Sequence, residues 1–399
     1  MSQCPYAALA QLRAQAPASE IAPGVWRVTR HAEVLRVLRE PQVFSAVITD
    51  GNEFALFGPS PVQDEIDRIM ADYPERPALM RIDPPEQLRM RALLVRALAP
   101  SVVQGFEPMI RQQVRSLSAG WLDRGQVEFV GDFADILPGA VTTDFICGEP
   151  QMRERFKFWA GEIMSRAQGP MAPERQLEVA HNIAAMGRYF LDAIAARRQQ
   201  PGHDLISLIV QAEPADGVPL EDVAIVNVLE TFMVGGNETT TFLLGNAWLR
   251  LAREPELAAR LRAAPQLIAA FVEEMLRLEP PAQNLPRKTT QAVELGGVQL
   301  PKGAMVLASL ASANRDERAF AQADQLDLER TDVAKHLAFG NGNHLCLGLQ
   351  LARAEARIAL EELLPRMQDI ELVDDVEWLH NDFLRGPVRL GLRFKPAIN

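Results

Sequence analysis

The sequence predicts a mainly α fold with a minor β portion. The longest periodic stretch, from about Asp222 to Arg253, and most other periodic windows repeat at helical spacing. Strand-like alternation is confined to a short unit near 21–29, a section after residue 290, and the tail. No internal repeat or low-complexity linker divides the 399 residues, so one domain over 1–399 is expected.

Taken in order, IAPGVWRVT alternates around Trp26 and predicts a short β unit, and HAEVLRVLRE then takes up helical spacing. Over 50–85, Gly, Pro and charges break every period. A stretch of about 35 such residues is longer than an ordinary connection and points to function. Helices are expected over 85–99, 102–123, 151–166 and 174–199, between Pro- or Gly-containing breaks. The stretch 222–253, at 1.5 Å per residue, predicts one helix about 45 Å long. A helix over 265–279 ends at EPPAQ, and QAVELGGVQLPKGAMVLASLASANRD predicts two short strands, a turn and a third strand. The glycine-rich loop FGNGNHLCLG then leads into the helix LQLARAEARIALEELLPRM, and EWLHNDFLRGPVRLGLRF reads as short strands.

Apolar residues at 48% furnish a large core, and with 23% charged residues global disorder is excluded. A net charge of −11 weighs against nucleic acid or an anionic membrane as the principal partner. Cys4, Cys147 and Cys346 cannot build a disulfide framework and fit a reducing compartment. The N-terminus lacks a basic start followed by a long apolar segment, and no window has the apolar length of a membrane span. A soluble, cytoplasmic protein without a membrane anchor is expected.

Cys346 lies between a glycine-rich turn and a helix, where amide N–H groups and the local positive potential favour thiolate. A single thiolate without other ligands at metal spacing is a poor zinc or iron–sulfur site, but suits the sole protein ligand of a haem iron. An inert buried cysteine is the alternative that this loop alone leaves open. In the middle of the long helix, GGNETTT is costly through low helix propensity and desolvation, yet its flanks are apolar almost all round. Two glycines there admit a ligand close to the backbone.

The run FGNGNHLCLG resembles the haem-binding signature of the cytochrome P450 family, FxxGxxxCxG, at Phe339, Gly342, Cys346 and Gly348. Glu274 and Arg277 match the family's ExxR motif, and Gly235 to Thr239 match its (A/G)GxxT helix pattern with an acid before the threonine. Three motifs in family order extend the resemblance over nearly the whole chain. It implies the P450 fold, with a long central helix over a haem, haem b (iron protoporphyrin IX) as cofactor, and Cys346 as the metal ligand. By position His344 and Arg287 become propionate partners, Arg287 being preferred to Lys288 because a guanidinium fork suits a carboxylate. DPPEQLRMRALL resembles the family's C-helix, where a frequent HxxxR pattern stands here as Gln87 and Arg91. Arg91 can serve the second propionate, whereas Gln87 offers only a neutral hydrogen bond. Phe339, Gly340 and Gly235 complete the cofactor-binding set. The resemblance assigns Glu274 and Arg277 a structural role, as a buried pair that locks the fold on the thiolate side.

The same resemblance gives Glu238 and Thr239 the catalytic roles, an acid relaying protons and an alcohol steadying oxygen and water, with Thr240 as a packing hydroxyl. It implies a monooxygenase that inserts one oxygen atom from O2 into a hydrophobic small molecule by hydroxylation, epoxidation or O-dealkylation. Electrons would come from a separate ferredoxin or flavodoxin with an NAD(P)H-dependent reductase. By family position the substrate meets Leu79, Leu229, Phe232, Met233, Asn284, Leu285 and Phe383, mostly apolar side chains with one polar anchor near Asn284. Among Arg89, Arg91, Arg96, Lys335, Arg353 and Arg357, Arg89 and Arg353 above all are expected to form a basic patch for an acidic redox partner. A haem-thiolate sensor without turnover is the competing reading; it would need the Cys346 loop but not Glu238 and Thr239.

Overall fold

The computed structural model describes residues 4–48, 54, 58–73, 77–166, 169–212, 217–379 and 381–397. The structure is mainly α with minor β, and it divides into two compact units, each assembled from separate stretches of chain.

The first unit comprises Met1–Ala46, Val103–Pro138 and Glu238–Asn399. Its largest sheet has five strands in the order Ala18–Ala22, Val25–Val28, Met305–Ser309, Asn284–Thr289 and Phe44–Ser45. Only the pairing of Val25–Val28 with Met305–Ser309 is parallel; it sets Trp26 opposite Val306, while Arg287 faces Val306 from the other side. Helix His31–Arg39 closes one face because its apolar residues recur at helical spacing, burying Val34, Val37 and Leu38 against Phe44, Leu295 and Val306. A three-stranded sheet is ordered Gln126–Glu128, Gly391–Pro396, Met367–Leu372. Nearby, Phe129 packs on Trp248 of helix Glu238–Arg253 with ring centroids 5.1 Å apart. Helix Ile268–Leu278, which carries Glu274 and Arg277, and helix Leu349–Leu363, which follows the cysteine loop, both have largely buried faces.

The second unit, Val47–Val102 and Gly139–Asn237, is helical. Its longest helix, Pro173–Gln199, begins with proline in its first turn, where the missing N–H costs nothing. Asp204 caps Leu205–Val210 by accepting from the Ser207 amide at 2.8 Å. Gly187 leaves room for a ring: a Cβ there would stand 2.6 Å from Tyr73 Cγ, and the Tyr73 hydroxyl donates to Glu230 at 2.9 Å.

Several expectations need correction. The stretch 50–85 contains helix Gln63–Ile69 and a 3-10 turn at Leu79–Arg81. The helix expected over 102–123 runs Pro100–Ser118, followed by a 3-10 turn at Leu122–Arg124. The single helix expected over 222–253 is two segments, Asp222–Gly235 and Glu238–Arg253, with Gly236 and Asn237 in a turn. Helix Leu137–Cys147 and strand Asn284–Thr289 had no expectation. The first is apolar with little one-sidedness, and the second contains a proline, so neither shows the expected period. Among the described residues no helix is long and apolar enough to cross a membrane.

Candidate functional site

The cysteine loop in the first unit is shaped by its glycines. Gly342 has φ +68°, and a Cβ on it would lie 2.5 Å from the Leu38 carbonyl, so no larger residue fits the turn. The Asn341 side chain accepts from the Gly342 amide at 2.9 Å and from Arg39 Nε at 2.8 Å. After the short turn Gly342–His344, the Cys346 amide donates to the Phe339 carbonyl at 2.8 Å. Gly348 then precedes helix Leu349–Leu363, and a Cβ at Gly348 would meet nothing within 4 Å. The half-buried Cys346 thus stands just before a helix N-terminus, beside open space next to the backbone.

The loop is braced from behind. Arg353 lies over the Phe339 ring, 4.8 Å from its centroid, and grips Glu273 with Nε at 2.6 Å and Nη2 at 2.8 Å. His336 Nε2 lies 3.1 Å from the same carboxylate, and its Nδ1 accepts the Ala338 amide at 3.2 Å. Burial would push the Glu273 carboxyl up, but hydrogen bonds from His336 and Arg353 outweigh it and hold the group at about 2. Leu285 meets the loop as well: its Cδ1 stands 3.4 Å from where a Gly340 Cβ would be.

Glu274 and Arg277 are buried together on helix Ile268–Leu278. Arg277 donates to Glu274 through Nε at 2.6 Å and Nη2 at 2.9 Å. Its other donors reach the carbonyls of Asn314 (3.0 Å), Ala323 and Gln325 (2.8 Å). Glu274 also accepts the Asp327 amide at 2.8 Å and faces Arg330 Nε at 3.2 Å. One helical turn thereby holds the meander that leads to the cysteine loop. Arg287 is buried on strand Asn284–Thr289 and donates to the Pro286 carbonyl at 2.7 Å; His344 is half-buried in the loop.

At the helix interruption, Gly236 is pressed by Thr142, whose hydroxyl would sit 2.8 Å from a Cβ there. Thr142 thus leaves room only for glycine at 236, and the low helix propensity of glycine fits a break at this point. Glu238 opens the following helix, and both it and Thr239 are half-buried, while Thr240 and Thr241 are buried. Burial pushes the Glu238 carboxyl above the ordinary carboxylate range, and Asp135 adds to the shift.

In the second unit, Gln87 is buried and Arg91 half-buried one turn apart on helix Glu86–Ala97. Leu229, Phe232 and Met233 share a buried face of Asp222–Gly235, whose end is the exposed Gly235, and Leu79 is buried in its 3-10 turn. In the first unit, Asn284 and Phe383 are brought side by side: Asn284 Nδ2 donates to the Asp382 carbonyl at 2.6 Å, and Phe383 is 46% exposed.

Three cations of the expected basic patch have acidic partners. Arg353 is neutralised by Glu273, Arg357 by Glu107 and Glu361, and Lys335 faces Asp332 at 3.7 Å. Arg89 donates to the Val218 carbonyl at 2.8 Å, and the Arg96 side chain lies outside the described residues. Glu273, His336 and Thr142 also shape the site and are not among the residues expected from the sequence. The first two carried a signal, an extra acid beside the ExxR glutamate and a histidine just ahead of the cysteine loop; Thr142 carried none.

The donor chemistry fits a haem. Among the described residues no three His, Cys, Asp or Glu side chains could together hold a bare metal ion, while Cys346 offers one soft ligand beside an open backbone. A metal that brings its own macrocycle needs only that one protein ligand.

Comparison with known proteins agrees. A family model described as Cytochrome P450 matches residues 174–369. The chain is 35% identical over 393 residues to the erythromycin C-12 hydroxylase of Saccharopolyspora erythraea, covering 98% of this chain and 93% of that one. It is 33% identical over 381 residues to the cyclomarin C epoxidase CymV of Salinispora arenicola, covering 94% and 92%. The solved structure of cytochrome P450 CYP109Q5 from Chondromyces apiculatus superposes with a TM-score of 0.86 at 33% identity, covering 98% of this chain and 96% of that one.

Proposed function

This chain belongs to the cytochrome P450 family, and from that premise we propose a monooxygenase that places one oxygen atom of O2 in a hydrophobic small molecule. Two electrons and two protons balance the reaction, the second oxygen leaving as water; the electrons come from a separate ferredoxin or flavodoxin with its NAD(P)H-dependent reductase. The observation that carries the reading is Cys346, whose amide donates a hydrogen bond to the Phe339 carbonyl just ahead of a helix N-terminus, two residues before the open backbone of Gly348.

Haem b, when bound, supplies the reductive activation of dioxygen. Cys346 would ligate its iron as thiolate, a form that a position just ahead of the N-terminus of helix Leu349–Leu363 favours. Arg287 and His344 in the first unit, and Arg91 with Gln87 in the second, would hold the propionates; Phe339, Gly340 and Gly235 would leave the cofactor space. Glu274 and Arg277 keep the meander, and through it the loop, in place. The raised Glu238 carboxyl holds and releases a proton closer to neutrality than an ordinary glutamate, which favours turnover over a sensor. Thr239, one residue on, would orient the water that carries this proton. The substrate would meet the apolar Leu79, Leu229, Phe232, Met233, Leu285 and Phe383, with Asn284 as polar anchor. The hydroxylase and the epoxidase among the relatives act on different molecules, so the substrate class is proposed only as hydrophobic.

The test is the reduced carbon monoxide spectrum of wild type and Cys346→Ser, followed by product analysis with a surrogate ferredoxin and reductase. A thiolate-type spectrum lost in the variant, with oxidised product from the wild type alone, is expected. The same spectrum from both proteins would overturn the ligand assignment, and a normal spectrum without product from any probe would favour the sensor.

A further inference from the structure

In the first unit, the loop that carries Phe383 is tied to residues 281–284 along its backbone. The Gln283 amide donates to the Phe383 carbonyl at 2.7 Å, the Arg385 amide donates to the Pro281 carbonyl at 2.8 Å, and Ala282 and Leu384 form an antiparallel bridge. Beside these ties the Glu279 carboxylate gathers groups from remote parts of the chain. Its Oε2 accepts the Tyr6 hydroxyl at 2.6 Å and lies 3.8 Å from Arg385 Nε, while Oε1 accepts Arg315 Nη2 at 3.2 Å. The Tyr6 ring is flanked by two guanidiniums, that of Arg315 at 3.8 Å and that of Arg385 at 5.7 Å from the centroid. Arg385 also lies over Trp378 at 4.1 Å, so cations and rings alternate from the N-terminal helix into the tail. Asn246 closes the cluster by donating to the carbonyls of Glu279 at 3.4 Å and Arg385 at 3.3 Å. Burial, followed by Glu279, pushes the Tyr6 hydroxyl far up, so it acts as a neutral donor throughout the working pH range.

Phe383 itself is half-exposed, and its amide donates to Asn381 Oδ1 at 2.6 Å. Its backbone is thus held by that turn and by the ties at 281–284, with the cluster at Glu279 beside them.

We propose that Tyr6, Glu279 and Arg385 form a clamp that sets where Phe383 stands beside Asn284, so that Tyr6 of the N-terminal helix is a positioning residue for regioselectivity. This inference rests on the proposed monooxygenase reading, because that reading assigns Asn284 and Phe383 to the substrate. Tyr6 touches neither substrate nor cofactor; it acts through Arg385 and the loop. The chemistry of the clamp also predicts a graded response. Tyr6→Phe keeps the ring between the guanidiniums and loses only the hydroxyl bond, whereas Tyr6→Leu loses both.

The experiment uses the haem-loaded full chain as wild type, Tyr6→Phe, Tyr6→Leu, Phe383→Ala and the double variant Tyr6→Leu/Phe383→Ala. The probe is testosterone, a rigid apolar molecule with several oxidisable carbons, and the first readout is the ratio of hydroxylated isomers. Tyr6→Leu should shift that ratio by roughly five- to thirtyfold, the range that losing two cation–π contacts allows, with the thiolate-type carbon monoxide spectrum unchanged. Tyr6→Phe should restore most of the wild-type ratio, and Tyr6→Leu should add nothing once Phe383 is alanine. The second readout, amide hydrogen exchange across 379–386, needs no turnover; it should quicken in Tyr6→Leu and not in regions remote from the clamp. A wild-type product ratio in Tyr6→Leu, effects that simply add in the double variant, or unchanged exchange would each overturn the clamp. A wild type lacking the thiolate spectrum would instead defeat the proposed function, and the exchange measurement would still judge the clamp.

Discussion

Replacing Arg277 by lysine keeps a positive charge beside Glu274 and removes the planar fork, which isolates what the geometry contributes. Arg277 makes five donor contacts, two to Glu274 and one each to Asn314, Ala323 and Gln325. A lysine ammonium has three donors at one point, so at least two acceptors lose their partner. Each buried acceptor left bare costs about 1–3 kcal/mol. The bidentate pair becomes a single contact where water cannot compensate, and breaking a buried ion pair outright costs roughly 3–5 kcal/mol. Because the charge is kept, the bare acceptors set the scale, and two of them put Arg277→Lys at about 2–6 kcal/mol, a large share of the roughly 5–15 kcal/mol that holds a domain folded. The assay is urea unfolding of the haem-loaded protein, followed in parallel by haem absorbance and tryptophan fluorescence. A lower midpoint in both signals is expected, together with loss of the thiolate-type carbon monoxide spectrum at milder denaturant. A midpoint change worth less than about 1 kcal/mol would refute the reasoning, because it would mean that the carbonyls do not depend on the fork.

Thr239→Ala should cost at most about 1–2 kcal/mol of stability while lowering the ratio of oxidised product to reduced cofactor consumed, with hydrogen peroxide rising in parallel; an unchanged ratio removes Thr239 from the mechanism. Glu238 has a raised folded pKa, so its contribution to stability is full below the ordinary carboxylate value and is lost as pH rises through the raised one. Glu238→Gln should therefore gain stability relative to wild type as pH rises and lose turnover, which paired melting curves and rates across pH would show. Glu273, held at about 2 against an ordinary 4.5, contributes stability that is present above the ordinary value and lost as pH falls towards 2. Glu273→Gln should cost roughly 2–3 kcal/mol at neutral pH, discounted for its partly exposed side chain, with the gap closing in acid; a gap independent of pH would exclude ionisation as its source.

The local chemistry of the candidate site was legible in the chain. The glycines around Cys346, the i,i+3 spacing of Glu274 and Arg277, and the polar notch at Glu238 and Thr239 are short-range patterns, and each reflects a conformational or helical-face constraint acting within a few residues. The outer limits of the long helical stretch were legible for the same reason, since apolar periodicity records a buried face. The interruption at Gly236 and Asn237 was not, because the neighbour that crowds Gly236, Thr142, lies on a helix almost a hundred residues earlier that has no one-sided apolar period. Nor were the partners of the charges. Arg353 reads as a free cation until the fold sets it on Glu273, eighty residues away in sequence, where it braces Phe339. Tyr6 reads as an ordinary residue of a short helix until Glu279, Arg315 and Arg385 converge on it. The sequence by itself determined which side chains are candidates to hold a haem and move a proton, because candidacy rests on residue type and local spacing. Only the tertiary structure decided which charges are neutralised and which loops are held, because charge pairing and cation–π contacts depend on distances across the fold that no local pattern encodes.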